Sequence, residues 1–139
     1  MTDTTKAVRV ILADDHAVVR KGIREFLEMS GNVIVLAEAS DGSEALRLIR
    51  EHKPDVAVLD IQMPNQTGIE VTRAIRSERL PIGVLILTAF DDEPYIRAVL
   101  QAGANGYVLK TAEAHEIVEA VQAVHEGQSV LDPVVARKL

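Results

Sequence analysis

Short apolar runs rich in β-forming residues alternate with segments of helical periodicity five times along the chain, and this alternation limits the fold more than any other feature. The predicted strands are Val8 to Ala13, Val33 to Ala39, Val56 to Leu59, Val84 to Leu87 and Gly106 to Leu109. Such alternation is typical of α/β proteins, in which helices connect the strands of a parallel sheet. Most runs are continuously apolar, which indicates strands that are covered by helices on both faces.

The segments between these runs carry apolar residues at helical spacing. The clearest stripes are Val19, Ile23, Phe26 and Leu27; Ile96, Val99 and Leu100; and Ile117, Val118, Val121 and Val124. Asp41 and Glu44 resemble a capping box that opens the second helix. Each helix is therefore expected to bury one apolar face against the sheet.

Length and composition favour one domain that folds without disulfide bonds. A chain of 139 residues can bury a sizeable core, and it contains no cysteine. With 15 basic and 21 acidic residues the net charge is −6, so we expect no direct nucleic acid binding by this chain, because such binding depends on cations that neutralise phosphates. No apolar stretch approaches the roughly 20 residues that span a membrane, so we expect a cytoplasmic protein with no membrane role.

The boundaries of the domain follow from where the pattern begins and ends. We expect residues 1–6 to be a disordered N-terminus and residues 7–127 to form the domain. Residues 128–139 are expected to be a C-terminal tail, which either forms a short closing helix or begins a linker.

Polar residues that do not belong in a core follow four of the apolar runs. Asp14 and Asp15 come after the first run, Asp60 after the third, Thr88 after the fourth and Lys110 after the fifth. Because the carboxyl ends of parallel strands lie at one edge of a sheet, we expect these side chains to be neighbours.

The charges of this group indicate a metal site. Two carboxylates about 5 Å apart repel by roughly 3 kcal/mol at an effective dielectric constant of about 20, and a third adds to the repulsion. One divalent cation and Lys110 would balance the three aspartates. An all-oxygen ligand set suits Mg²⁺, and Mn²⁺ is a second option. A carboxylate beside such a cation can attack phosphorus, and Asp60 is the best candidate because it stands alone after its strand.

Five short motifs occur in order along the chain, most of them at a predicted strand end. They are Asp14-Asp15-His16, Leu59 to Pro64, Gly68, Leu87-Thr88-Ala89 and Tyr107 to Lys110. Together they resemble the response-regulator receiver domain, and within that family the NarL/FixJ branch with LuxR-type output domains, from about Arg9 to Gly127. The resemblance implies a flavodoxin-like (βα)5 fold, a three-layer sandwich with the parallel strand order 2-1-3-4-5.

The same resemblance implies a phosphoacceptor signalling domain and not an enzyme that turns over a metabolite. Asp60 would accept a phosphoryl group from a histidine kinase, with weak self-phosphorylation from small donors and autodephosphorylation. Asp15, Asp60 and the backbone carbonyl of Gln62 would bind Mg²⁺, and Asp14 would contribute mainly through a bound water.

The remaining motif residues would form a switch. Lys110 would pair with the phosphoryl group, and the Thr88 hydroxyl would turn inward to donate to it. Tyr107 would change rotamer with Thr88 and remodel the face formed by the fourth helix, the fifth strand and the fifth helix. Membership of the branch also implies a phosphorylation-dependent homodimer and control of transcription through a DNA-binding output domain beyond the tail.

Two positions depart from the pattern of many receiver domains. Asn65 stands where relatives often have glycine, but asparagine tolerates a left-handed turn. Thr111 follows Lys110 where relatives often have proline, so the isomer of that peptide bond stays open.

Two other classes of function stay open. A pseudo-receiver would keep the fold as a binding module without phosphorylation. A phosphatase or dehalogenase with an aspartate nucleophile usually carries a second aspartate two residues after the first, but Gln62 occupies that position here. The chain also has no room for a cap domain, which makes this class the weaker alternative.

Overall fold

The computed structural model describes residues 7–139, so the predicted disordered N-terminus lies outside the described residues. Strands and helices alternate through the whole described chain. The strands are β1 (Val8–Ala13), β2 (Val33–Ala39), β3 (Val56–Leu59), β4 (Gly83–Thr88), β5 (Gly106–Leu109) and β6 (Val130–Leu131). The helices are α1 (Ala17–Met29), α2 (Gly42–His52), α3 (Gly68–Ser77), α4 (Glu93–Ala102), α5 (Ala114–His125) and α6 (Pro133–Ala136).

All six strands form one parallel sheet with the order β2-β1-β3-β4-β5-β6. The predicted flavodoxin-like fold and the order of its first five strands are therefore confirmed. The order reverses at β1, which pairs with β2 on one side and with β3 on the other. At such a reversal the connections diverge to opposite faces and leave a crevice beyond the carboxyl ends of the strands.

Each central strand contributes side chains to two separate cores, because successive residues of a strand point to opposite faces. Ile11 and Ala13 of β1 pack on the face that α2, α3 and α4 cover, whereas Val10 and Leu12 pack on the face that α1 and α5 cover. All four are at most 1% exposed. The sheet is therefore the middle of three layers, which explains why its strands lack a polar face.

The helix starts combine predicted and unpredicted contacts. The Asp41 carboxylate accepts a hydrogen bond from the Glu44 amide at 2.8 Å, as a capping box requires. The Glu44 carboxylate, however, accepts from the amide of Ser40 at 2.9 Å and not from that of Asp41. The predicted capping box is thus half correct. A complete one opens α3, where Thr67 and Glu70 each accept from the other's amide.

The tail contains more structure than the sequence indicates. Strand β6 pairs with β5, and Asp132 caps α6 by accepting from the Val134 amide at 2.9 Å. Val135 is fully buried in the core on the α4 side. The tail therefore packs on the domain and includes the short helix that the sequence left open. The sixth strand was not predicted.

Gly68 permits a close approach of backbone that any side chain would prevent. A Cβ atom there would lie 2.1 Å from the carbonyl oxygen of Asp60, whereas a Cβ at Gly22, in the exposed part of α1, would meet nothing within 4 Å. We expect Gly68→Ala to lower the free energy of unfolding by about 1 to 3 kcal/mol, since the backbone after β3 must move. Gly22→Ala should raise it by about 0.5 to 1 kcal/mol. Urea denaturation measures both, and equal midpoints would contradict the predicted clash.

Candidate functional site

The polar residues at the carboxyl ends of the strands lie on one edge of the sheet. Asp14 directly follows β1, Asp60 follows β3, Thr88 ends β4 and Lys110 follows β5. The backbone pairing continues past the strands, because the Asp60 amide donates to the carbonyl of Ala13 at 3.0 Å and the Lys110 amide donates to that of Thr88 at 2.9 Å. The predicted neighbours are thus fixed by the register of the sheet.

The Lys110 ammonium joins two buried carboxylates. Its Nζ atom lies 2.6 Å from Oδ2 of Asp14 and 2.7 Å from Oδ2 of Asp60. Asp14 is 1% exposed and Asp60 is 4% exposed. Because buried charges are costly unless paired, this lysine is a condition for placing two ionised aspartates here.

Two effects act on the pKa of Lys110 in opposite directions. Burial lowers the pKa, but hydrogen bonds to Asp14 and Asp60 and their negative charges outweigh burial, so the pKa lies above its ordinary value. The side chain therefore stays charged at neutral pH. Because the folded-state pKa is raised, the contribution of Lys110 to stability is present below its unfolded pKa and is lost as pH rises through the folded pKa.

The second oxygen of each buried carboxylate accepts from the backbone. Oδ1 of Asp60 accepts from the Ile61 amide at 2.7 Å, and Oδ1 of Asp14 accepts from the His16 amide at 2.9 Å. These bonds hold both carboxylates in fixed orientations.

Four side chains offer ligand atoms that lie within 4.8 Å of one another, namely those of Asp14, Asp15, His16 and Asp60. With Lys110 in contact, the three carboxylates still leave an excess of negative charge. Hard oxygen donors with unbalanced negative charge fit Mg²⁺, in agreement with the sequence prediction. His16 was not predicted as part of the metal set, yet its Nδ1 lies 3.1 Å from Oδ1 of Asp15. Its position directly after two aspartates was the one signal available.

Gln62 lies in the loop between β3 and α3, two residues after Asp60. Its side-chain amide donates to the hydroxyl of Tyr95 at 2.9 Å. The metal-binding role of its backbone carbonyl stays a prediction. In the same loop Asn65 has a φ of 70°, so asparagine does adopt the left-handed turn that the sequence indicated. Residues 7–139 contain no cis peptide bond, which makes the bond between Lys110 and Thr111 trans.

Thr88 and Tyr107 meet at one residue. Both are fully buried. The hydroxyl oxygen of Thr88 accepts a long hydrogen bond of 3.4 Å from the amide of Phe90, and the hydroxyl of Tyr107 donates to the carbonyl of the same residue. Burial, followed by the charges of Asp91 and Asp92, raises the pKa of Tyr107, so its hydroxyl remains a donor. The segment between β4 and α4 is thus tied to both predicted switch residues.

The family model described as the response regulator receiver domain matches residues 10–122. The chain belongs to this family. It is 44% identical to the transcriptional regulatory protein NarL of Mycobacterium tuberculosis over 126 residues. The aligned region covers 91% of this chain and 58% of the relative. It is 42% identical to the transcriptional regulatory protein LiaR of Bacillus subtilis over 132 residues. This alignment covers 95% of this chain and 63% of the relative. The chain thus spans about three fifths of the length of these curated relatives.

Solved structures agree with this assignment. The signal receiver domain of NarL from Mycobacterium tuberculosis superposes with a TM-score of 0.87 at 44% identity, covering 88% of this chain and 99% of that one. The receiver domain of RcsB from Salmonella enterica, solved with the phosphomimetic BeF₃⁻, superposes with a TM-score of 0.86 at 28% identity, covering 96% and 99%. The protein therefore contains a response regulator receiver domain.

Receiver domains bind Mg²⁺ at an acidic pocket, and this chain has an acidic cluster formed by Asp14, Asp15 and Asp60. None of the helices within residues 7–139 is both long enough and apolar enough to cross a membrane.

We expect Lys110→Met to lower the free energy of unfolding by about 3 to 5 kcal/mol in metal-free buffer, because it leaves two buried carboxylates without their cation. Saturating Mg²⁺ should recover part of this loss, since the dication replaces the missing charge. Urea denaturation with and without Mg²⁺ measures both effects. Lys21→Met, on an exposed position of α1, is the control and should stay within about 0.5 kcal/mol of the parent. A Lys110→Met variant as stable as the parent without metal would contradict the assigned ion pairs.

Proposed function

We propose that Asp60 accepts a phosphoryl group from a histidine kinase and that the resulting aspartyl phosphate switches the face formed by α4, β5 and α5. The observation that carries this proposal is the position of its carboxylate. Asp60 is 4% exposed, directly follows the central strand β3 and lies 2.7 Å from the Lys110 ammonium, within the acidic cluster.

In the proposed reaction, a carboxylate oxygen of Asp60 attacks the phosphorus of a phosphohistidine. The new O–P bond forms while the N–P bond breaks, and the electron pair of that bond returns to the imidazole nitrogen of the donor. Lys110 offsets the charge on the phosphoryl oxygens. Mg²⁺, held by Asp15, Asp60 and the carbonyl of Gln62, with Asp14 acting through a water, would supply further charge stabilisation. Small phosphoryl donors would react in the same way, and hydrolysis would reverse the modification.

The signal would leave the site through Thr88. A hydroxyl can accept one bond and donate another, so Thr88 can keep its bond from the Phe90 amide while donating to a phosphoryl oxygen. Movement of Thr88 toward the phosphoryl group would shift Phe90 and release or reorient Tyr107, whose hydroxyl bonds to the Phe90 carbonyl. The phosphoryl group would favour one of two conformations by these differential contacts.

The proposed partners follow from the family. The relatives are named as transcriptional regulatory proteins, and this chain spans about three fifths of their length. We therefore propose a cytoplasmic regulator in which a DNA-binding output domain follows this domain, with a phosphorylation-dependent homodimer as the active form. This chain itself would make no direct contact with nucleic acid.

We expect Asp60→Asn to abolish labelling by acetyl phosphate or phosphoramidate with Mg²⁺, because an amide is not a nucleophile toward phosphorus. Intact-mass spectrometry measures the added phosphoryl group. Asp55→Asn is the matched control, since Asp55 precedes β3 at the opposite end of the same strand, and this variant should label like the parent.

The outcomes of this labelling separate the alternatives. A parent that does not label and gives no spectroscopic response to Mg²⁺ is a pseudo-receiver. Steady hydrolysis of a phosphomonoester that Asp60→Asn abolishes would instead support the phosphatase class. Labelling of Asp60→Asn at the parent's rate would show that another residue accepts the phosphoryl group.

Beryllofluoride with Mg²⁺ is expected to shift the amide resonances of Phe90 and Tyr107 more than those of residues at the amino ends of the strands, such as Gly83. Thr88→Ala should bind beryllofluoride but reduce the shift at Phe90, because the hydroxyl that connects them is absent. Two-dimensional amide NMR measures these shifts, and sedimentation of the same samples reports dimerisation. Equal shifts at Phe90 in the parent and Thr88→Ala would contradict the proposed route, and an unchanged sedimentation coefficient would contradict the proposed dimer.

A further inference from the structure

Arg20, the fourth residue of α1, reaches back over the start of its own helix. Its Nη1 atom donates to the backbone carbonyl of Asp14 at 2.6 Å, and its Nε donates to the Glu38 carboxylate at 2.8 Å. The Arg20 side chain is 18% exposed and that of Glu38 is 26% exposed. These two partly buried hydrogen bonds hold the guanidinium in one place. An arginine on the exposed face of a helix usually has no such fixed partners.

The carbonyl of Asp14 belongs to the peptide that joins Asp14 and Asp15, two members of the acidic cluster. It lies past the end of β1, outside the strand pairing. Because a peptide bond is planar, the direction of this carbonyl also fixes the amide of Asp15. The Arg20 bond therefore helps to fix the backbone from which both acidic side chains extend.

Within residues 7–139, the other hydrogen bonds at this peptide are those of Asp14. The Asp14 amide donates to the carbonyl of Ala39 at 3.1 Å, and its carboxylate accepts from the His16 amide and from Lys110. The Asp15 side chain is 32% exposed and lies 3.1 Å from the His16 imidazole. Asp15 thus depends on the peptide orientation more than Asp14 does.

Glu38 anchors the guanidinium from the neighbouring strand. It lies on β2, paired with Leu12 of β1, and its second oxygen accepts from Nη1 of Arg24 at 2.7 Å. Arg24 also bonds to Glu28 at 3.3 Å and to the Val35 carbonyl at 3.4 Å. The two arginines share one carboxylate, but Arg20 alone of the two contacts the backbone of the acidic cluster.

We propose that Arg20 is a positioning residue of the metal site, which orients the peptide between Asp14 and Asp15 so that both carboxylates can face one cation. This inference rests on the proposed Mg²⁺ site. The Mg²⁺ affinity of that site would then depend on Arg20 as well as on the motif aspartates. Outer-shell partners of metal ligands affect affinity by about 10 to 100-fold, so loss of the Arg20 bonds is expected to weaken Mg²⁺ binding by about tenfold.

Electrostatics alone makes the opposite prediction. Removal of a cation near an acidic site should strengthen Mg²⁺ binding, whether the cation removed is Arg20 or Arg24. A positioning role requires weaker binding in Arg20→Gln only. The sign of the change in affinity therefore distinguishes orientation from charge.

The experiment titrates Mg²⁺ into the parent, Arg20→Gln, Arg24→Gln and Arg20→Lys and follows the amide NMR spectrum. We expect the dissociation constant to rise about tenfold in Arg20→Gln and to stay within about twofold in Arg24→Gln. Arg20→Lys keeps one donor and should lie between the parent and Arg20→Gln. Urea denaturation of each variant separates site effects from loss of fold.

Each outcome has a distinct meaning. If the parent does not bind Mg²⁺, the proposed metal site fails. If the parent binds and Arg20→Gln binds equally well or more tightly, the positioning role fails and the metal site stands. Should Arg20→Gln not fold, Arg20→Lys keeps the positive charge but loses the planar fork that bonds to Asp14 and Glu38 together, and a weaker Mg²⁺ affinity is then required. An unchanged affinity in that variant would overturn the inference.

Discussion

The contact of one ammonium with two buried carboxylates is the constraint on which the rest of this molecule depends. Asp14 and Asp60 are nearly inaccessible to solvent, and an unpaired charge at that depth would be strongly unfavourable. Lys110 reaches both at hydrogen-bond distance from the end of another strand. The arrangement requires β1, β3, β4 and β5 to end at the same level, so the parallel register is a condition for the chemistry as well as for the core.

A chain of contacts leads from Thr88, at the same edge of the sheet, through Phe90 to Tyr107 on β5. Phe90 accepts from Tyr107, donates to Thr88 and packs against the ring of Tyr95 at a centroid distance of 5.4 Å. On its other side β5 is bonded by the tail, because the Asp132 amide donates to the Tyr107 carbonyl at 2.9 Å. Tyr107 is therefore held at its side chain by the segment before α4 and at its backbone by the tail. In the proposed switch, a change at Thr88 would therefore act on a tyrosine that is held at both its side chain and its backbone.

Sequence reasoning succeeds here where a residue stands in a strong local pattern and fails where it depends on distant contacts. Continuous apolar runs predict β1 to β5, and the topology of parallel sheets then brings Asp14, Asp60 and Lys110 together. The strand β6 has two residues, too few for a periodic pattern, and exists because β5 offers an unpaired edge. Arg20 is equally hidden, since one arginine on a helix normally indicates a solvated face. Its contacts with Asp14 and Glu38 appear only in three dimensions.

The charge balance also bears on how the proposed Mg²⁺ site would respond to the proposed phosphorylation. An ammonium has three donors, and the described contacts of Lys110 with Asp14 and Asp60 use two of them, so one can serve a phosphoryl oxygen without breaking either bond. With a dication, the three aspartates and Lys110 are neutral in sum. Phosphorylation in the proposed reaction replaces the single charge of Asp60 by about −2, as on other phosphorylated side chains. The added negative charge has no cation left to balance it, which favours any conformation that brings the Thr88 hydroxyl closer. The driving force for the switch would therefore come from a site that is balanced before phosphorylation and negative after it.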